Sequence, residues 1–507
     1  RRQPRSPRRE HPAWAMAAKW CLRPAVDQAR AVREGIVSSV ALVNAHIDRI
    51  ERLDGPVNCV VVRLFTEARA RAAEADAALA KGHVWGPLHG VPVTIKESFM
   101  VKGAKTTCGI PELRDYVSDS NALAVQWLVD AGVVVLGKTN VPIYTADMQS
   151  FNDIYGRTSN PHDLARTPGG SSGGSAASLA CCFASLELGS DIGGSIRVPA
   201  HFCGVCGHKP SQGLGHLHGH VSTPTGPANH RALQPMRTLE KPVRARVDPS
   251  FGHPLAVSGP LARCCADLEL AMRLLARPEP VMERGGWSYA LPPPRCTEPG
   301  KLRCAVWLEQ PGVPTDTACL PLMEAAVAAL EAAGAKVDRA ARPFSDEEVA
   351  KHMQTFNGLL DADMAFSGRK WTHAEFMGLS VKRNFIKERY EEFFERFDVL
   401  LCPVVPGPAF PHTTLPMAKR TFSGTGIPDF RFPEMTFWPG IIIVADLPST
   451  VVPVGRTPDG LPCGMQIVAP NFQDLTSIEV GKMLERLHEP CRFAPPPGFG
   501  PEPAARL

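Results

Sequence analysis

Apolar positions recur every three and four residues across 25–54, AVDQARAVREGIVSSVALVNAHIDRIERLD, which predicts helices there, with Ser38 and Ser39 placed to cap the second. Residues 66–82 predict an Ala-rich amphipathic helix. The period then changes. In GPLHGVPVTIKE, residues 86–97, Gly and Pro punctuation precedes the β-branched run VPVTI, predicting a strand that ends at Lys96. Residues 120–132 predict a helix that feeds the short apolar strand VVVLG, and PLARCCADLELAMRLLA, residues 260–276, predicts another amphipathic helix. From Lys301 onward the pattern predicts strand LRCAVWL, helix LPLMEAAVAALEAAG, strand AKVDRAA, helices across 346–396 and strand DVLLCPVVP. Strands near STVVPVG and GMQIVAP and the helix LTSIEVGKMLERL complete the run.

This alternation of strands and helices predicts an α/β fold, with a sheet covered on both faces by helices. Residues 1–24 are expected to be a basic, disordered extension, 25–487 one domain with loop insertions near 221–254 and 278–300, and 488–507 a Pro-rich tail. The apolar runs WPGIIIVADL and VVVLG have the size of core strands and are too short to cross a bilayer, so no membrane span is expected.

Composition narrows the function classes. Apolar residues make up 44% and charged residues 21% of the 507, ordinary values for a globular protein. The net charge is +4, but Arg1–Glu10 alone contributes five Arg and one Glu, so the remaining chain is neutral. No basic field is left for phosphates, and nucleic acid is not an expected partner. The opening RRQPRSPRRE has no apolar core of a secretory signal, and Met16 is a candidate start. Fifteen scattered cysteines with no secretion signal fit reduced thiols and a cytoplasmic location, although the basic N-terminus leaves organellar targeting open.

The most informative stretch is Thr167–Pro199, TPGGSSGGSAASLACCFASLELGSDIGGSIRVP. Its first cluster sets Ser171 and Ser172 among glycines. Its second places Ser195 after Gly193 and Gly194, whose amides carry no side chains to block a ligand. Bared N–H groups beside a serine suggest an oxyanion site. Amide cleavage needs a nucleophile, a base, an acid for the leaving nitrogen and donors for the oxyanion. A lysine desolvated to neutrality serves as base, with a bridging serine as relay, so Lys96, Ser171 and Ser195 form a candidate set.

The segments GVPVTIKES (90–98), LGKTNVP (136–142), GGSSGGSAA (169–177), GSDIGGSIRVPAHFCGVCGHKP (189–210) and LPSTVVPVG (447–455) resemble the amidase signature family, over about residues 25–487. That resemblance implies a large mixed, twisted β-sheet and a cofactor-free amidase acting on a small-molecule amide. It implies Ser195 as the acylated nucleophile, Ser171 as the bridging serine held by a cis peptide bond, and Lys96 as the base. It further implies the amides of Ile192, Gly193 and Gly194 as oxyanion hole, with Gly170, Ser172, Asp191 and Arg197 bracing the loops. Ser190 stands where many members have Thr. Thr145, Met148 and Gln149 fall where the family lines its acyl pocket. A glutaminase of the amidotransferase A type serving a partner, and a catalytically idle scaffold, are the alternative readings; the amidase reading leaves a homodimer open.

Three other motifs compete. GVVVLGKT, residues 132–139, matches the phosphate-loop pattern, but strand-formers fill the gap between its glycines and Asn140-Val141-Pro142 follows. GGSSG matches a nucleophile elbow on Ser171, but the preceding DLARTP is polar and ends in Pro, so no strand leads in. Cys203 and Cys206 form a CxxC followed by His208, His216, His218 and His220, but a second CxxC is missing, and the reading is buried thiols with no metal.

Overall fold

The computed structural model describes residues 17–221, 255–364 and 367–501. Its frame is an eleven-stranded sheet. The strands are β1 (Val60–Arg63), β2 (Pro92–Lys96), β3 (Val134–Thr139), β4 (Leu186–Asp191), β5 (Cys206–Lys209), β6 (Val257–Ala262), β7 (Arg303–Val306), β8 (Lys336–Asp338), β9 (Val399–Pro403), β10 (Ser449–Arg456) and β11 (Pro462–Val468). They lie in the order β1-β3-β2-β4-β6-β5-β10-β11-β9-β7-β8. The sheet is mixed: β3, β2 and β4 run parallel to one another, as do β9, β7 and β8, and the other neighbours are antiparallel.

Helices α1 (Ala25–Arg33), α2 (Ser39–Val57), α3 (Phe65–Ala80), α4 (Leu123–Asp130), α5 (Gly173–Ala180), α6 (Arg197–Cys203), α7 (Cys265–Leu275), α8 (Leu320–Ala332), α9 (Asp346–Met364), α10 (His373–Arg396), α11 (Phe437–Ile443) and α12 (Asp474–Leu487) surround it. Ser38 caps α2, its side chain accepting from Ala41 N–H. Alternate strand residues serve opposite faces. Val93, Ile95, Val452 and Val454 pack with α4, α7, α8 and α12, whereas Val134, Leu136 and Val451 join the core formed with α2, α3, α5 and α6. An aromatic cluster of Trp307, Phe356, Tyr390, Phe393 and Trp438 fastens α9, α10 and α11 to the β7–β9 end.

Three expectations change. WPGIIIVADL is largely helix α11, because a short apolar run buried on all sides carries no period to separate strand from helix. In 260–276 the helix begins only at Cys265, since Pro260, Leu261 and Ala262 belong to β6. The strands β1, β4, β5 and β6 add to the expected set; β4 and β5 carry little local signal, because the polar members of LELGSD and CGHK satisfy their hydrogen bonds only in the assembled sheet.

Residues 1–16, the 222–254 part of the expected insertion and residues 502–507 lie outside the described residues. From Ala17 the chain is packed: Ala17 and Cys21 are buried with Val32 and Leu42, so the expected extension is shorter than 1–24. Residues 278–300 hold a short helix, Pro280–Arg284, and Arg295 ties them to Thr476 and to the Phe394 carbonyl.

Trp307 is fully buried edge-on to Trp438, ring centroids 5.3 Å apart, and its indole N–H donates to Glu309 O. Trp307→Ala is expected to cost about 3–5 kcal/mol, measured as a fall in unfolding midpoint. Trp287→Ala, at a side chain 64% exposed, should stay within about 0.5 kcal/mol.

Candidate active site

The parallel pairing of β2 with β4 matches Thr94 to Glu187 and Ile95 to Leu188, so both strands end at the same edge, where open α/β sheets bind ligands. Lys96 closes β2, and Ser190 and Asp191 close β4. Lys96 Nζ lies 2.9 Å from Ser190 Oγ and 3.5 Å from Ser190 O. It lies 2.7 Å from Ser171 Oγ. Lys96 is fully buried and Ser171 is 1% exposed, whereas Ser195 retains 9% exposure.

Ser171 reaches that edge on the loop before α5, and the Gly170–Ser171 peptide bond is cis. Ser150 Oγ donates to Gly169 O and accepts from Gly173 N–H, bracketing the loop. Ser172 Oγ donates to Ser190 O, and Ser172 N–H donates to Ser195 O at 3.1 Å, tying the two Gly/Ser loops together. No strand runs directly into Ser171, in contrast to a nucleophile elbow. Likewise Val134–Thr139 of GVVVLGKT is strand β3, with no helix directly after Thr139.

Asp191 organises the second loop. Arg197 holds its carboxylate through Nη2 at 2.9 Å and Nε at 3.0 Å, both residues fully out of solvent. Asp191 also accepts from the amides of Gly194, Ile196 and Arg197. Burial pushes its pKa up, but the Arg197 guanidinium and the amide donors outweigh that and hold it down at about 2. Arg197 continues to Pro439 O and Gln466 Oε1, joining the loop to α11 and β11.

The expected oxyanion set is thereby divided. Gly194 N–H is committed to Asp191 Oδ1 at 2.8 Å, while among the described residues the amides of Ile192 and Gly193 have no partner. Gly194 has φ +113°, and a Cβ there would meet Val198 Cγ2 at 2.8 Å, so glycine shapes the turn. A Cβ on Gly193 would touch only Phe356 Cζ, at 4.0 Å, which leaves open space beside its amide.

Among the described residues, three lysines are fully buried: Lys96, Lys138 and Lys209. Lys138 donates to Lys105 O and Thr106 Oγ1, and Lys209 to Pro210 O. Of the three, Lys96 alone meets the serine hydroxyls of the Gly/Ser loops. Burial lowers its pKa to about 7, against weaker opposing contributions from Cys108, Asp191 and Glu187. Those neighbours supply little free charge near neutral pH. Burial pushes the Cys108 thiol up, Asp191 is paired with Arg197, and burial raises Glu187 to about 8 despite hydrogen bonds from Thr139, Thr94 and Ser175. Desolvation therefore wins, and a neutral Lys96 is accessible at pH 7.

The expected acyl-pocket residues separate. Met148 is buried in the core of α2, α5 and α6, and Gln149 is spent clamping the Thr413 backbone, donating to its O and accepting from its N–H. Thr145, half-buried, donates to Tyr144 O. Ile192 and Met353 instead pack at the edge of the aromatic cluster beside Phe356, Phe437 and Trp438. These positions on α9 and α11 carry no motif that marks them in the sequence.

The CxxC also disperses. Cys203 Sγ donates to Pro168 O, His208 pairs with Thr450 and Asp474, and His216 meets Arg277 O. Cys206, Cys265 and Glu485 do bring ligand atoms within 4.8 Å of one another, but Glu485 Oε1 already accepts from Cys265 N–H at the start of α7.

The profile of the Amidase family matches residues 41–357 and 357–477. An indoleacetamide hydrolase of Bradyrhizobium diazoefficiens is 30% identical over 91% of this chain and 86% of its own length. The A component of the glutamyl-tRNA(Gln) amidotransferase of Acidothermus cellulolyticus is also 30% identical, over 91% of this chain and 94% of its own. The fold matches fatty acid amide hydrolase with a TM-score of 0.76 at 20% identity, covering 94% of this chain and 86% of that one. It matches a bacterial aryl acylamidase at 0.73 and 24%, covering 92% and 96%. With one family profile spanning most of the chain and a full-length relative that hydrolyses an amide, this protein belongs to the amidase family and is an amide hydrolase.

Proposed function

We propose that the chain hydrolyses a carboxamide through an acyl intermediate on Ser195, and the contact of Lys96 Nζ with Ser171 Oγ in a water-free setting carries this reading. Neutral Lys96 takes the Ser171 proton as Ser171 takes that of Ser195, whose Oγ attacks the substrate carbonyl carbon. The amides of Ile192 and Gly193 receive the developing oxyanion. The proton returns through Ser171 to the leaving nitrogen as the C–N bond breaks. Water then attacks the acyl-serine by the same relay, releasing the acid and restoring Ser195.

The substrate is a small molecule with an apolar acyl group, because Phe356 faces the space beside Gly193 and Ile192 and Met353 pack against the same apolar cluster. A second reading, an amidotransferase component of the A type that passes ammonia from glutamine to a partner, is favoured by the relatives of that name, which match over nearly their whole length. A panel of aliphatic, aromatic and glutamine amides on the purified chain separates the two. Turnover of apolar amides with glutamine untouched supports the first, and the reverse supports the second.

Ser195→Ala should lower kcat on the best amide by at least about 10⁴-fold, with loss of labelling by a serine-directed acylating probe. Retained turnover would overturn the assignment. Because Lys96 must be neutral to act and its pKa lies at about 7, kcat/KM should fall about tenfold per pH unit on the acid side of that value. A rate unchanged down to about pH 5 would exclude a lysine base.

A further inference from the structure

We propose that His220 is a positioning residue of the relay: it fixes the direction of the Ser190 hydroxyl and so keeps the Lys96 lone pair available to Ser171. The inference rests on the Lys96–Ser171–Ser195 reading above. His220 Nε2 lies 3.0 Å from Ser190 Oγ and 2.9 Å from Ser98 Oγ, and Ser190 Oγ is the same atom that meets Lys96 Nζ at 2.9 Å. A chain of hydrogen bonds thus runs from the imidazole through one hydroxyl to the buried amine.

His220 is held firmly enough for that task. Val221 N–H donates to Ser98 O at 2.7 Å, Met100 N–H to Gly219 O at 2.9 Å and Leu123 N–H to His218 O at 3.0 Å, stitching the loop to the end of β2 and the start of α4. The Phe99 ring stands edge-on to the imidazole, centroids 4.5 Å apart. His216, at the loop's start, is anchored on Arg277 O and against the Trp127 ring.

A hydroxyl has one proton, and that fact gives the geometry its consequence. With Nε2 unprotonated, Ser190 O–H donates to it and Ser190 Oγ accepts from a Lys96 N–H, leaving the amine lone pair directed at Ser171. With a proton on Nε2, the imidazole donates to Ser190 Oγ. The Ser190 proton then turns to Lys96 and competes with Ser171 for the only lone pair. The titratable groups around this path are Lys96 and Glu97 at the end of β2, Asp191 after Ser190 on β4, Cys108, Glu187, and His216 and His218 in the loop itself. Glu97 accepts from the Thr107 and Cys108 amides and Asp191 is paired with Arg197. Lys96 is therefore the ionisable side chain that His220 reaches through a single hydroxyl.

The test is a double-mutant cycle between His220 and Ser190, read as kcat and KM on the best amide. His220→Phe, which keeps the ring and removes the acceptor, should lower kcat about tenfold, the equivalent of one lost hydrogen bond, with KM little changed. In a Ser190→Ala background the same change should have almost no effect, because the coupling passes through that hydroxyl. His220→Gln, whose amide oxygen replaces Nε2 as acceptor, should recover most of the loss. Equal kcat losses with and without the Ser190 hydroxyl, or no recovery of kcat in His220→Gln, would overturn the proposal. Probe labelling of Ser195 in every variant keeps this outcome distinct from a failure of the acyl-serine mechanism, in which even the wild type would not label.

Discussion

An amine sealed away from water without a free carboxylate beside it is the constraint on which this molecule turns. A lysine in solvent would stay protonated well above neutral pH and could not accept the proton of a serine. Burying Lys96 removes the hydration that stabilises its charged form, and each neighbour that would restore the charge is neutral or already paired. Here the hydroxyls of Ser171 and Ser190 take the place of a counter-ion. They satisfy the hydrogen bonds of the neutral amine, whereas a carboxylate in either position would favour ammonium.

The sheet makes that burial available. Parallel neighbours β2 and β4 deliver their last residues to one edge, so a lysine at one strand end and a serine-aspartate pair at the other meet with no loop between them. β4 runs straight into the turn that carries Ser195, and α6 begins two residues later with Arg197. The buried Asp191–Arg197 pair is costly to desolvate, yet five donors converge on that carboxylate. Its position explains why the Gly194 amide is occupied while those of Ile192 and Gly193 are not: the carboxylate that shapes the turn takes the amide it most closely approaches.

Neighbouring polar groups have been sorted by the same principle. Lys138 and Lys209 are as deeply buried as Lys96 but end on carbonyl oxygens or a lone threonine hydroxyl, which hold them in place and offer no proton to a nucleophile. Gln149 braces a distant strand of backbone at Thr413. The histidines of the Gly-rich loop go separate ways, and the last of them reaches the Ser190 hydroxyl that meets Lys96.

Much of this was legible in the amino-acid order. The period of apolar residues located most helices and the strands β2, β3, β7, β8, β9, β10 and β11, because a strand or helix with a continuous apolar face announces itself locally. The two Gly/Ser clusters and the lysine closing β2 named the chemistry, since few other arrangements need glycines packed around three such side chains. What stayed hidden were features whose meaning depends on a distant partner. WPGIII could not be told from a strand, β4 and β5 hid their polar residues' partners, and nothing local marked Phe356, Met353 or His220. Residue types and spacing, through their resemblance to the amidase signature family, pointed to the reaction class. The tertiary structure alone decided which amides remain free and which lysine meets the serine, because hydrogen-bond occupancy and desolvation are properties of the packed neighbourhood.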